Sequence, residues 1–72
     1  MRVWVLVSWQ GDVASDTLGV FASRERAEAH AREDAGQELE WSDERDRSGR
    51  VFRVAPVGMG EGYAVEEFEL VE

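Results

Sequence analysis

His30 is the only histidine and the side chain best suited to acid–base chemistry in this sequence. On a helix it would neighbour Arg26, Glu33 and Asp34, and Asp34 is placed to orient it as a general base. No serine has the context of a nucleophile elbow, and the chain has no cysteine. We therefore predict that His30 is a solvated or half-buried helix residue and that the protein is not an enzyme, so no catalytic residue is assigned.

Two segments resemble ligand-binding loops without meeting the chemical requirements. Asp43–Gly49 has some of the acidic spacing of a calcium loop, but two of its residues are arginines, which place cations where oxygen ligands belong. The glycines of residues 58–62 would need a helix N-terminus to cradle a phosphate, and Glu61 lies among them. We interpret Glu44–Gly49 as a hairpin turn and residues 58–62 as a flexible connector, and we predict neither a metal site nor a cofactor.

The chain is strongly acidic, with 16 acidic residues against eight arginines and a formal net charge of −8. Nucleic acids and anionic lipids are bound by cationic surfaces, so we predict no direct contact with nucleic acid or with a membrane. Arg53 lies among aromatic residues, and we expect it to cover a ring of the protein itself, not a nucleobase. A basic protein surface is the complementary partner.

Most of the excess negative charge lies in residues 37–72, which hold ten acidic residues against four arginines. One interpretation is a solvated face that protects an edge strand from aggregation. The other is a negative field that docks on an arginine- and lysine-rich protein surface, one that otherwise holds nucleic acid. In the second interpretation the protein-binding residues are Glu38, Glu40, Glu61, Glu66, Glu67, Glu69 and Glu72.

The length and apolar content predict a single domain over residues 1–72. No apolar run approaches the roughly 20 residues of a membrane-spanning helix, and Val3–Val7 is too short for a signal peptide. The absence of cysteine excludes a disulfide scaffold. We therefore expect a cytoplasmic protein whose core is built from valines and aromatic residues.

Alternation of apolar and polar residues predicts five strands, which are Arg2–Trp9, Thr17–Ala22, Glu38–Asp43, Arg50–Val57 and Tyr63–Val71. The first is apolar on both faces, so we place it centrally with both faces covered. The second is expected to pair with it in antiparallel orientation. For residues 38–43 there is an alternative, because the preceding helix could continue through Leu39. Pro56 ends the fourth strand or places it at an edge, and a change of phase in the last strand predicts a β-bulge near Glu66–Glu67.

One helix is predicted over Arg24–Ala35, between a capping Ser23 and a terminating Gly36. Alanines recur on it at four-residue spacing, which forms a narrow stripe that can approach a sheet closely. These alanines are Ala27, Ala31 and Ala35. Because alanine buries little area, the sheet has to hold a helix that would be marginal alone.

The fold class that follows is α+β, with one helix packed on a mostly antiparallel sheet of four to five strands, in the chain order β-β-α-β-β-β. A single helix covers only one face of such a sheet, and an exposed apolar face usually marks an interface. We name Trp4, Leu6, Val51 and Ala55 as residues of the uncovered side and a homodimer as one way to cover it.

Three segments together resemble a known type of small protein. They are Val3–Val7, then Gly19–Ala29, then Val65–Leu70. The chain is similar to small families of unknown function in bacteria and their phages, in which a first strand leads to a Gly-Val-Phe entry into a helix with Ser-x-x-x-Ala, and the chain closes on an acidic strand. The resemblance implies the fold and brings no catalytic residues.

The function expected from these observations is that of a non-enzymatic, acidic protein-binding module. Its concrete form is a phage or mobile-element inhibitor that occupies a basic, nucleic-acid-binding site on a larger protein. The alternative is a small structural homo-oligomer that uses the apolar sheet face, without mimicry of nucleic acid.

Overall fold

The computed structural model describes residues 1–11, 13–58 and 60–71. In this part of the chain the elements are β1 (Arg2–Gln10), β2 (Val13–Phe21), α1 (Arg24–Ala35), β3 (Ser42–Arg45), β4 (Val51–Gly58) and β5 (Glu61–Glu69). The strands form a five-stranded sheet in the order β2-β1-β5-β4-β3, and neighbouring strands are antiparallel. The predicted α+β class, with one helix on an antiparallel sheet, is confirmed.

The helix α1 begins and ends where the local signals predict. The Ser23 hydroxyl accepts a hydrogen bond from the backbone N–H of Arg26 at 3.2 Å, which satisfies one of the free donors of the first turn. Gly36 adopts a left-handed φ of 70° and donates its N–H to the Arg32 carbonyl. Both ends are therefore fixed by residues that the chain supplies locally.

The core lies between α1 and one face of the sheet. Ala27 and Ala31 are fully buried there, against Leu6 of β1 and Tyr63 and Val65 of β5. Small side chains on the helix let it approach closely, so that the larger strand residues fill the space between the layers. Partly buried residues complete this core: Trp4, Leu18, Phe21, Ala35, Leu39, Trp41 and Val57.

The predicted third strand is displaced along the chain. Residues 38–41 form the connection between α1 and the sheet, and β3 begins only at Ser42. Leu39 and Trp41 pack on the core from this connection, which gives the alternation that suggested a strand. The alternative of a longer helix is also wrong, because α1 ends at Gly36.

β5 is regular, so the predicted bulge near Glu66–Glu67 is wrong. Its register against β1 has no shift from one end of the two strands to the other. The change of phase arises because β5 carries apolar side chains on both of its faces. Tyr63 and Val65 point toward α1, whereas Phe68, an odd number of residues away from both, points to the opposite side.

Pro56 lies inside β4, which extends to Gly58. Both predicted alternatives are therefore wrong, since β4 does not end at Pro56 and lies between β5 and β3; the ladder with β3, however, stops at the pair Ser42–Val54. Past that pair β4 has β5 alone as a neighbour in the described part of the sheet. Proline, which has no N–H to donate, is tolerated at such a position.

β1 is interior, as predicted, but only one of its faces is covered. The helix α1 contacts β1, β2 and β5 from one side, and nothing among residues 1–11, 13–58 and 60–71 packs against the other side. Leu6 faces α1, so its alternating neighbours on β1 face away from the helix. The expectation that both faces are covered is therefore wrong, and we call this second side of the sheet the uncovered face.

Candidate interaction surfaces

The uncovered face can be assigned from the strand register, because residues directly opposite each other in an antiparallel ladder point to the same side. Val5 lies opposite Glu66, and Val7 lies opposite Ala64, which in turn lies opposite Val54. The face includes Val3, Val5, Val7 and Trp9 of β1, Val20 of β2, Glu44 of β3, Phe52 and Val54 of β4, and Ala64, Glu66 and Phe68 of β5. Val20 is 62% exposed, and the other large apolar side chains of the face are partly exposed.

The indole of Trp9 lies across Gly62, its ladder partner. A Cβ atom on Gly62 would stand 2.5 Å from two atoms of the indole ring and 2.8 Å from the carbonyl oxygen of Ala55. Glycine is required here because the ring occupies the place of its side chain. The expectation of a flexible connector over residues 58–62 is therefore wrong for Gly58, which ends β4, and for Glu61 and the buried Gly62, which begin β5. Met59 lies outside the described residues.

Arg50 forms the rim of the uncovered face at Phe68. Its guanidinium carbon lies 4.0 Å from the centre of the Phe68 ring, and it donates a hydrogen bond to the carbonyl of Glu67. The expectation from the sequence that Arg53 covers an aromatic ring of the protein is wrong. Arg53 lies opposite Val65 on the side of α1, where its guanidinium pairs with carboxylates instead.

The carboxylates around Arg53 belong to the helix and to β3. Its Nη1 lies 3.1 Å from Asp43 and its Nε 3.6 Å from Glu28. Glu28 also pairs with Arg24 at 3.3 Å. The positive charges beside the N-terminus of α1 are thus matched by carboxylates of the same protein.

The four residues predicted for the uncovered side lie on the side of α1. Leu6 and Ala55 are fully buried, and Trp4 packs against the core. Val51 is 45% exposed and shares the side of Ala55 by alternation along β4. Their assignment to the uncovered face is wrong, because a strand that is apolar on both faces gives no sign of which face meets the helix.

Three of the predicted protein-binding glutamates are engaged in ion pairs. Glu67 lies 3.7 Å from Arg2, and Glu69 lies 3.4 Å from the same guanidinium and 3.5 Å from the N-terminal ammonium. Glu38 lies 3.7 Å from Arg32. These exposed pairs contribute little to stability, but they reduce the negative field of this group.

The remaining glutamates do not form one patch. Glu40, Glu61 and Glu66 have no cationic partner within 4.0 Å among the residues described, and Glu72 lies outside them. Glu66 belongs to the uncovered face, while Glu61 alternates with it toward the other side. Glu61 and Glu66 are five residues apart on β5, which is about 17 Å at the usual rise of a strand.

His30 is exposed, and its ring packs near Phe21 with the ring centres 5.4 Å apart. Asp34, the residue that would orient a histidine base, instead accepts a hydrogen bond from the Tyr63 hydroxyl at 2.6 Å. This hydrogen bond, together with burial, raises the pKa of Tyr63 to about 12. Asp34 therefore links α1 to β5.

The predicted hairpin turn is present, but it is shorter than Glu44–Gly49, because Glu44 and Arg45 belong to β3 and the turn begins at Asp46. One oxygen of Asp46 accepts hydrogen bonds from the backbone N–H groups of Ser48 and Arg50 and from the Ser48 hydroxyl. The hydrogen bond from the Ser48 side chain and the one from the Arg50 backbone hold the pKa of Asp46 below its usual value. This carboxylate thus organises the turn between β3 and β4.

The described residues contain no group of three or more histidine, aspartate or glutamate side chains arranged to hold a metal ion. Over the same ranges of the chain, no helix has the length and apolar character needed to cross a membrane. Comparisons with protein-family models, curated proteins and solved structures find no significant match. The resemblance to small bacterial and phage families therefore stays a prediction.

Sequence reasoning missed the residues of the uncovered face, although it found their alternation. The signal was present in the odd-numbered positions of β1, which are Val3, Val5, Val7 and Trp9. Because the single helix covers only one side of the sheet, a strand that is apolar on both faces must leave one apolar face uncovered. The placement of Leu6 decides which one.

Proposed function

We propose that the protein is a non-enzymatic binding module that docks a flat, apolar protein surface on its uncovered face. The observation that carries this proposal is the row of large apolar side chains on the side of the sheet opposite α1. An apolar face of this kind is costly to leave in water and is a common feature of interaction sites. The acidic residues at described ladder positions of this face are Glu44 on the outer strand β3 and Glu66 on the middle strand β5, and apolar side chains make up most of the rest of the face.

A second candidate is the expected inhibitor that occupies a basic, nucleic-acid-binding site. The net charge of −8 and the carboxylates of Glu40, Glu61 and Glu66 favour it. It is less well supported than the apolar face, because three other glutamates of the predicted set face cations of their own chain. The unpaired carboxylates also lie on different sides of the sheet.

Site-specific photo-cross-linking in cells tests which surface is used. A photoreactive benzoylphenylalanine replaces Val5 on the uncovered face, Ala29 on the exposed side of α1, or Glu40 in the acidic connection. We expect covalent protein adducts from position 5 and none from position 29. Adducts from position 40 alone would support the inhibitor, and equal labelling from positions 5 and 29 would refute a dedicated docking face.

A further inference from the structure

We infer that the protein surface docked on the uncovered face is a second copy of this chain, in a two-fold dimer with the sheets packed face to face. This inference rests on the proposed function and names its partner. The first argument is the distribution of charge. The uncovered face carries the carboxylates of Glu44 and Glu66 and, at its rim, the guanidinium of Arg50, so it has no strong preference for a cationic or an anionic partner.

The remaining acidic side chains favour the same arrangement. Those of the helix and of the following connection lie on the other side of the sheet, and so do Glu61, Glu67 and Glu69 by alternation along β5. When two copies meet through their uncovered faces, both acidic sides point outward. The layer of two sheets, about 10 Å thick, keeps them apart.

The area of the face is sufficient for a dimer. Its four long strands, β2, β1, β5 and β4, have nine, nine, nine and eight residues. At a spacing of about 4.8 Å between strands and a rise of about 3.3 Å per residue, they cover about 550 Å² per copy. Two copies thus bury about 1,100 Å², just above the size at which specific interfaces begin.

The shape of the uncovered face is suited to packing against the same face of a second copy. In a two-fold dimer every contact occurs twice, so the same patch must offer both the projecting and the receiving side chains. The large rings of Trp9 on β1 and Phe68 on β5 stand at opposite ends of the face. The small Ala64 of β5 lies between them. Val20, at the outer strand, is 62% exposed in the single copy and would be covered by the partner.

Sedimentation of the purified full chain tests the inference, with two variants that add the same charge in different places. Val20→Glu changes an exposed position of the uncovered face, and Ala29→Glu changes an exposed position of α1. Neither is a buried residue. Far-UV circular dichroism of each variant serves as the control for folding. We expect the wild type and Ala29→Glu to reach twice the chain mass of 8.1 kDa, and Val20→Glu to dimerise at least tenfold more weakly.

Two results would overturn the inference. One is a wild-type chain that stays monomeric up to several hundred micromolar, and the other is a dimer that both variants weaken equally. These outcomes differ from a failure of the proposed function. Monomeric protein with adducts of a different mass from position 5 refutes the second copy alone, whereas the lack of any adduct from position 5 refutes the docking face itself.

Discussion

Gly62 is the residue on which the shape of the uncovered face depends most. Because the indole of Trp9 occupies the place of a side chain, Gly62→Ala should push the ring away from the sheet and lower the free energy of unfolding by about 1–3 kcal/mol. Urea unfolding measures the effect. The matched control is Gly58→Ala, whose Cβ would meet only a Glu61 carboxylate oxygen at 4.0 Å. Equal effects of the two substitutions would contradict the packing of Trp9 on Gly62.

Tyr63 and Asp34 connect the helix to the middle strand of the sheet. Removing the hydroxyl in Tyr63→Phe should lower the free energy of unfolding by about 1–2 kcal/mol at neutral pH, because a donor to a carboxylate is lost. The Asp34 hydrogen bond raises the pKa of Tyr63 to about 12, above the value of about 10 in an unfolded chain. This contribution is thus fully present below about pH 10 and is lost as the pH rises toward 12.

Unfolding measured as a function of pH checks this sign. The stability of the wild type should fall toward that of Tyr63→Phe between about pH 10 and 12. A difference between the two proteins that stays constant across this range would show that the hydroxyl does not donate to Asp34 in solution.

The helix α1 depends on its ends because its buried stripe is made of alanines. Ser23→Ala removes the acceptor for the Arg26 N–H and should lower the free energy of unfolding by about 1 kcal/mol. Ser23→Asp keeps an acceptor at the same place and is the matched control. A loss of stability in Ser23→Asp as large as in Ser23→Ala would contradict the capping role.

The same elements show how far the sequence alone can go. The limits of α1 are predicted correctly, since Ser23 and Gly36 act on the backbone next to them. The position of β3 is not predicted correctly, because Leu39 and Trp41 are apolar in order to pack on a core formed by residues distant in sequence. For the same reason the choice between the two apolar faces of β1 is not readable from alternation, and the candidate site was placed on the wrong side of the sheet.

The two candidate functions respond differently to salt. Two copies that each carry a formal charge of −8 repel each other, so screening should strengthen an apolar dimer or leave it unchanged between about 0.05 and 0.5 M NaCl. Binding of a polyarginine peptide through the glutamates should weaken over the same range. Fluorescence titration of both equilibria measures the two slopes, and a dimer that dissociates on addition of salt would contradict the apolar interface.

The most direct test of the docking face is carbene footprinting of the wild-type chain at low and high micromolar concentration. It reports solvent access on both sides of the sheet in one molecule. We predict that labelling of β1 and Val20 falls as the concentration rises, while labelling of the exposed side of α1 stays constant. Labelling that stays constant with concentration on both sides of the sheet, or that decreases on α1 instead, would contradict docking through the uncovered face.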